Sequence, residues 1–182
     1  MDREQVAIQF CGFGGQGIIL ASVIFGTAAV TRKDYHAVQT QSFGSEARGG
    51  ECQAELVISR SAIYSPSADE ADILVAMSDL AFNRYLVRLK HGGDLLIDPD
   101  MVNLPKRTDI KLYLIEANRI AKDLGFSLAS NMVFLGALQN LTKLISEDEL
   151  FETIRDSVNP RYADANITAA QKGIALMASQ LK

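Results

Sequence analysis

Apolar residues come in short blocks in the first half of this chain and in long stripes in the second. Val6-Ala7-Ile8-Gln9-Phe10 is a compact apolar run that stops at glycines, which predicts a buried strand. The segment Gly17 to Thr31 is apolar over too great a length for a strand and predicts a helix. Tyr35-His36-Ala37-Val38 then predicts a second strand. Strand, turn, helix and strand make a βαβ unit, whose parallel strands need a crossover helix. Gln41 to Gly50 is polar, carries Gly44, Gly49 and Gly50, and predicts a loop. From Cys52 the pattern alternates, with Cys52, Ala54, Leu56 and Ile58 on one face and Gln53, Glu55 and Ser59 on the other. That period of two predicts a half-exposed antiparallel strand.

Ser61 to Pro66 reads as a turn and a short return strand. Asp72 to Met77 is a central buried strand, Ser78-Asp79 the N-cap of a helix, and Gly92-Gly93 its end. Leu95-Leu96-Ile97 and Leu112 to Ile115 supply two more strands. From Ala117 onward the chain is helical, with breaks near Gly125, Ser146 and Asn159-Pro160. Ala163, Ile167, Ala170, Ile174, Met177 and Leu181 mark one packed face of the last helix. The expectation is an α/β fold: a mostly parallel sheet flanked by helices, an antiparallel strand near 51–59, and a helical C-terminal tail. No linker or repeat divides residues 1–182, so a single domain is expected.

Composition narrows the function classes. Of 182 residues 48% are hydrophobic and 22% charged, a globular balance, and 18 Lys plus Arg against 22 Asp plus Glu gives a net charge of -4. A basic face for nucleic acid is not indicated. Met1 to Gln5 lacks the pattern of a signal peptide, and the apolar stretch Ile18 to Val30 is shorter than the roughly 20 residues of a membrane span, so a cytoplasmic protein is expected. Cys11 and Cys52 form no CxxC or Cys/His pattern, whereas clusters and structural zinc usually take about four ligands. No metal site is expected, and the thiols are expected to be buried and free. His36 in a strand reads as packed, and His91 as covering the last carbonyls of a helix.

Two glycine-rich segments carry the candidate chemistry. Gly12-Phe13-Gly14-Gly15-Gln16-Gly17 fits G-x-G-x-x-G between a predicted strand and a predicted helix, the setting that gives the motif meaning. Glycines let the backbone approach a ligand, and free N–H groups at the helix start favour an anion. Equally, they serve to pack helix against strand closely. A nicotinamide site also wants an acid at the end of the second strand, where Gln39, Thr40 and Gln41 stand instead; Asp34 precedes that strand. The second segment, Ser42 to Gly50, holds Ser45 and an arginine, Arg48, followed by Gly49 and Gly50. A guanidinium on a flexible backbone suits carboxylate or phosphate. It also suits an ion pair with Glu46, Glu51 or a neighbouring subunit.

Together Gly12 to Gly17, Gly44 to Gly50, Ala71 to Met77, Asn131 to Ala137 and Asn166 to Gly173 resemble the gamma subunit family of 2-oxoacid:ferredoxin oxidoreductases. The matching segments spread over nearly the whole chain in order, and the stretch from Arg48 to Gln53 resembles the 2-oxoglutarate branch. The resemblance implies a Rossmann-like, non-catalytic subunit of an enzyme that converts a 2-oxoacid, coenzyme A and oxidised ferredoxin to an acyl-CoA, carbon dioxide and reduced ferredoxin. It implies that thiamine diphosphate sits between alpha and beta subunits, and iron–sulfur clusters on beta or a small delta-type subunit. It further implies that this chain assists assembly and binds coenzyme A. The residues carried over as its site are Gly12, Gly14, Gly15, Gln16, Gly17, Ser45, Arg48, Gly49 and Gly50, with no catalytic residue. Pyruvate or indolepyruvate as substrate, and a stand-alone nucleotide-binding protein, stay open as alternatives.

Overall fold

The computed structural model describes residues 4–32, 35–43 and 50–181. The strands are β1 (Gln5–Phe13), β2 (His36–Phe43), β3 (Glu51–Ser59), β4 (Ala71–Ala76), β5 (Leu89–Ile97) and β6 (Lys111–Leu114). The helices are α1 (Ile18–Arg32), α2 (Asp79–Tyr85), α3 (Ala117–Asp123), α4 (Ser130–Thr142), α5 (Glu147–Ser157) and α6 (Ala163–Gln180). All six strands form one sheet in the order β2-β3-β1-β4-β5-β6. The pairs β1–β4, β4–β5 and β5–β6 are parallel, while β3 runs antiparallel to both β1 and β2.

The expected mostly parallel sheet with an antiparallel strand near 51–59 is therefore present, but the first βαβ unit differs. β2 runs in the same direction as β1, yet β3 lies between them and pairs with each along its whole length. β2 also continues to Phe43, through residues that read as loop. Each residue of β3 gains two hydrogen-bonded neighbours this way, and a lone βαβ pattern cannot reveal an inserted strand.

One face of the sheet carries α1, α4, α5 and α6, packed on Val6, Ile8, Phe10, Leu56 and Ile58. The other carries α2, with Phe82 and Tyr85 on Cys11, Leu74 and Leu95. Both faces are covered, which explains why β1 and β4 are continuous apolar runs. β3 departs from its half-exposed reading for the same reason: Ala54 to Ser59 is buried throughout. The segment after β3 folds back over it, with Ala68 N–H donating to Glu55 Oε1 at 2.6 Å and Arg88 3.4 Å from the same carboxylate. No return strand forms among residues 60–70.

Gly92-Gly93 does not end a helix. It lies inside β5, where Gly92 has φ 72° and donates to Asp109 C=O at 2.7 Å. There β5 bulges, so that Leu89 to Asp94 spans the length of Ala71 to Ile73 on β4. His91 sits on this bulge with its side chain 88% exposed, 3.9 Å from Asp109, and His36 is likewise exposed at the start of β2. Neither histidine has the packed or capping place expected of it. The helical tail breaks at the expected places. Ser146 opens α5 with a capping box, its hydroxyl accepting from Glu149 N–H at 3.2 Å while Glu149 Oε2 accepts from Ser146 N–H at 2.7 Å.

Candidate functional site

β1 runs past its predicted stop to Phe13, and Gly14–Gly17 turns the chain into α1 at the carboxyl end of the strand. Gly15 and Gly17 have φ of 100° and 73°, the left-handed region that side chains seldom adopt. At Gly17 there is a second reason, because a Cβ there would collide with the amide of Asn131 at the head of α4. Gln16 fastens the turn. Its Oε1 accepts from Phe13 N–H at 2.6 Å, and its Nε2 donates to Met77 C=O at 2.9 Å, just past β4. Both ends of this amide are thus engaged within the protein, and they hold the turn against two strand ends at once.

Gly50, the last residue of the other glycine segment, lies at the same edge. Gly14 N–H donates to Gly50 C=O at 2.9 Å, so Gly12, Gly14, Gly15, Gln16, Gly17 and Gly50 form one cluster. Ser45, Arg48 and Gly49 lie outside the described residues. The N–H groups of Gly15, Gly17, Ile18, Ile19 and Leu20 meet no backbone acceptor among the described residues. A helix start leaves such donors free, and they favour an anion.

Two further residues flank the turn. Asn131 is 2% exposed; its Nδ2 donates to Gly17 C=O at 3.3 Å, and its Oδ1 is buried with no hydrogen-bond partner among the described residues. Ser78 is 1% exposed and stands at the N-cap of α2, but its hydroxyl makes no cap bond and has no partner either. The sequence pattern points to Ser78 only as a cap, and to Asn131 only as the first residue of a family-like segment. Asn131 acquires its place through its contact with Gly17, and Ser78 by following Met77, whose carbonyl Gln16 holds.

Acidic and titratable groups at this edge are already committed. Glu51 follows Gly50 and pairs with Arg84 at 2.9 Å, which offsets its charge beside the turn. Burial first, and the nearby Glu51 carboxylate second, push Tyr85 up to about 12. The same two causes push the Cys11 thiol well above its ordinary range, which leaves it protonated and unreactive. Asp98, just past β5, looks like a ligand acid, but Oδ2 accepts from both nitrogens of Asn118 at 2.8 and 2.9 Å and Oδ1 from Asp100 N–H at 3.0 Å. Cys11 and Cys52 are both free and buried, on adjacent strands but on opposite faces of the sheet, so they cannot ligate one cluster. The inserted β3 also puts the end of β2 two strand spacings from the end of β1, about 9.6 Å. A ribose acid at that end would not stand beside the turn as in a dinucleotide site.

A profile of the family described as pyruvate ferredoxin/flavodoxin oxidoreductase matches residues 7–176. The chain belongs to that family. It is 43% identical to the 2-oxoglutarate synthase subunit KorC of Methanothermobacter thermautotrophicus, over 91% of this chain and 92% of that one. The keto/oxoacid ferredoxin oxidoreductase gamma subunit from Geobacter sulfurreducens PCA is 33% identical and superposes with a TM-score of 0.84, over 96% of this chain and 99% of that one. The 2-oxoglutarate:ferredoxin oxidoreductase from Magnetococcus marinus shares the fold at 24% identity, with a TM-score of 0.88, over 98% of this chain and 32% of that one. This family member is thus a gamma-type subunit of a 2-oxoacid:ferredoxin oxidoreductase, as its glycine segments implied. No helix among the described residues is long and apolar enough to cross a membrane.

Proposed function

We propose that this subunit serves a cytoplasmic 2-oxoglutarate:ferredoxin oxidoreductase by holding coenzyme A through its phosphates, at the glycine turn. The relatives named for 2-oxoglutarate support the substrate, and the Magnetococcus structure was determined with 2-oxoglutarate, coenzyme A and succinyl-CoA bound. Thiamine diphosphate, the iron–sulfur clusters and the contact with ferredoxin fall to alpha, beta and delta-type partner subunits. The observation that carries the reading is the set of N–H groups at Gly15, Gly17 and the first turn of α1 that meet no backbone acceptor among the described residues, beside Gly50 at the carboxyl edge of the sheet. Ligands of such sheets bind outside that edge.

The chain's own residues divide the work. Gly15, Gly17 and the first turn of α1 present backbone donors to a phosphate; Ser78 adds a hydroxyl that can donate. Asn131 offers a buried carbonyl oxygen to a donor on the ligand, such as an amide or amine N–H. Gln16 keeps the turn in shape, and Arg48, two residues before Gly50 in sequence, adds a charged fork. No residue of this chain moves a proton or forms a covalent intermediate.

Arg48→Ala tests the reading. In a reconstituted complex it raises the apparent KM for coenzyme A tenfold or more while the subunit is retained on gel filtration, since a charged hydrogen bond is worth about 1.5–3 kcal/mol. Loss of the subunit with unchanged coenzyme A affinity would assign Arg48 to the subunit interface. No change in either would make the segment a mere connector.

A further inference from the structure

The two edges of the sheet are finished differently. At β6 the amide of Gln180 stands in for a further strand, with Nε2 donating to Leu114 C=O at 2.8 Å and Oε1 accepting from Leu114 N–H at 3.1 Å. At β2 no described residue pairs with the outer side. Exposed strand edges are commonly guarded by charge, proline or a bulge. β2 has none of these: its residues from His36 to Phe43 include no Asp, Glu, Lys, Arg or Pro, and it pairs with β3 without a break in register.

The helix beside this edge is equally unusual. Leu20, Val23, Thr27 and Val30 form the solvent-facing stripe of α1, with Leu20, Val23 and Val30 38%, 41% and 44% exposed. The polar side of a surface helix ordinarily carries its charges, yet Ile18 to Thr31 contains none. A groove of about 190 Å³ runs between α1 and β2, lined by Val23, Val30, Ala37 and Leu56. Ser22 Oγ and Gln39 Nε2 also line it, and both are buried without a partner.

We infer that this face joins a second copy of the same chain, β2 against β2 in antiparallel pairing about a two-fold axis normal to the sheet. Such an axis keeps like faces together, so the two α1 stripes meet side by side. Two copies of a chain of net charge -4 meet no like-charge repulsion across this face, since Ile18 to Thr31 and His36 to Phe43 contain no Asp, Glu, Lys or Arg. With either Gln39 or Thr40 on the axis, the residue opposite Gln39 is itself a glutamine, whose amide oxygen supplies the missing acceptor. A strand of eight residues is about 26 Å long, and strand plus helix about 20 Å deep, so the pairing removes on the order of 1,000 Å² from water, enough for a specific interface. The inference goes beyond the coenzyme A reading and uses none of the glycine turn.

Light scattering on the full chain after gel filtration tests it. At tens of micromolar the wild type runs at twice 19.8 kDa. Val23→Glu with Val30→Glu, and separately Gln41→Lys on the exposed strand edge, run at 19.8 kDa with unchanged circular dichroism and a dissociation constant raised at least tenfold. Val87→Glu, 78% exposed and just past α2 on the other side of the sheet, stays dimeric. A monomeric wild type at that concentration, or charge variants that still dimerise, overturns the inference. So does a monomeric wild type whose Gln41→Lys variant fails to join the complex, since a strand of another subunit then covers β2.

Discussion

Gln16 carries the glycine turn on one side-chain amide. Gln16→Ala leaves Phe13 N–H and Met77 C=O without their partners, at about 1–3 kcal/mol if both stay dry. Urea unfolding should show that loss, and Gln16→Glu should recover only part of it, because a carboxylate keeps the bond to Phe13 but faces the Met77 carbonyl as a second acceptor. Equal stability of Gln16→Ala and wild type would mean the amide is not what holds the turn. Tyr85 gives a prediction in pH. Its pKa in the folded chain is about 12, raised first by burial and then by Glu51, against an ordinary value near 10. Tyr113 is raised to the same value by burial and by Asp94. A raised pKa in the folded state means the stabilisation is whole below pH 10 and is lost as pH rises towards 12. Tyrosinate absorbance should therefore rise early for the other tyrosines and late for these two, together with unfolding. Tyr85→Phe should make the alkaline loss of stability shallower, and an unchanged alkaline profile would contradict the burial assigned to it.

At the element scale, α4 and α6 come into backbone contact. A Cβ at Gly136 would strike the carbonyl of Ala170, and one at Gly173 the carbonyl of Val133, so both positions admit only glycine at this spacing. Gly173→Ala should destabilise by about 3 kcal/mol or more, although alanine favours an isolated helix by about 1 kcal/mol. Thermal unfolding of the variant checks the sign: a higher Tm would show that the helices are not in backbone contact. Elements whose periodicity is set by their own burial were legible in the sequence, namely β1, α1, β4 and the stripe of α6 from Ala163 to Met177; Leu181, read as part of that stripe, lies past α6 and is 48% exposed. β2 and β3 were legible as strands but not as neighbours, because nothing local to Cys52–Ser59 shows that it inserts beside β1. Burial of Glu55 was hidden for a related reason, since the cover comes from Ala68 and Arg88. Gly92-Gly93 misled because a bulge inside a strand and the end of a helix use glycine alike. Of the candidate site, the glycine turn after β1 was legible, whereas Ser78 and Asn131 came only from the folded arrangement.

For the whole molecule, the separation of Cys11 and Cys52 onto opposite faces and the thiol held protonated at Cys11 match a subunit that supplies no redox centre. The isolated chain should accordingly be colourless, and it should reduce no ferredoxin when given a 2-oxoacid, thiamine diphosphate and coenzyme A. Turnover by the chain alone would contradict its role as a dependent subunit. The part proposed for it in the complex is to hold an anion by backbone donors at one turn, so the decisive comparison is between ligands with and without phosphate. Gly15 is the position to change, because its added Cβ would meet no described residue, while its φ of 100° makes any side chain strain the donors. Calorimetric titration of the reconstituted complex with coenzyme A and with pantetheine, in wild type and in Gly15→Ala, makes that comparison. The account predicts that Gly15→Ala weakens coenzyme A at least tenfold and leaves pantetheine, which has no phosphate, unchanged. Equal coenzyme A affinity in the two complexes, with the subunit still bound in both, would contradict it.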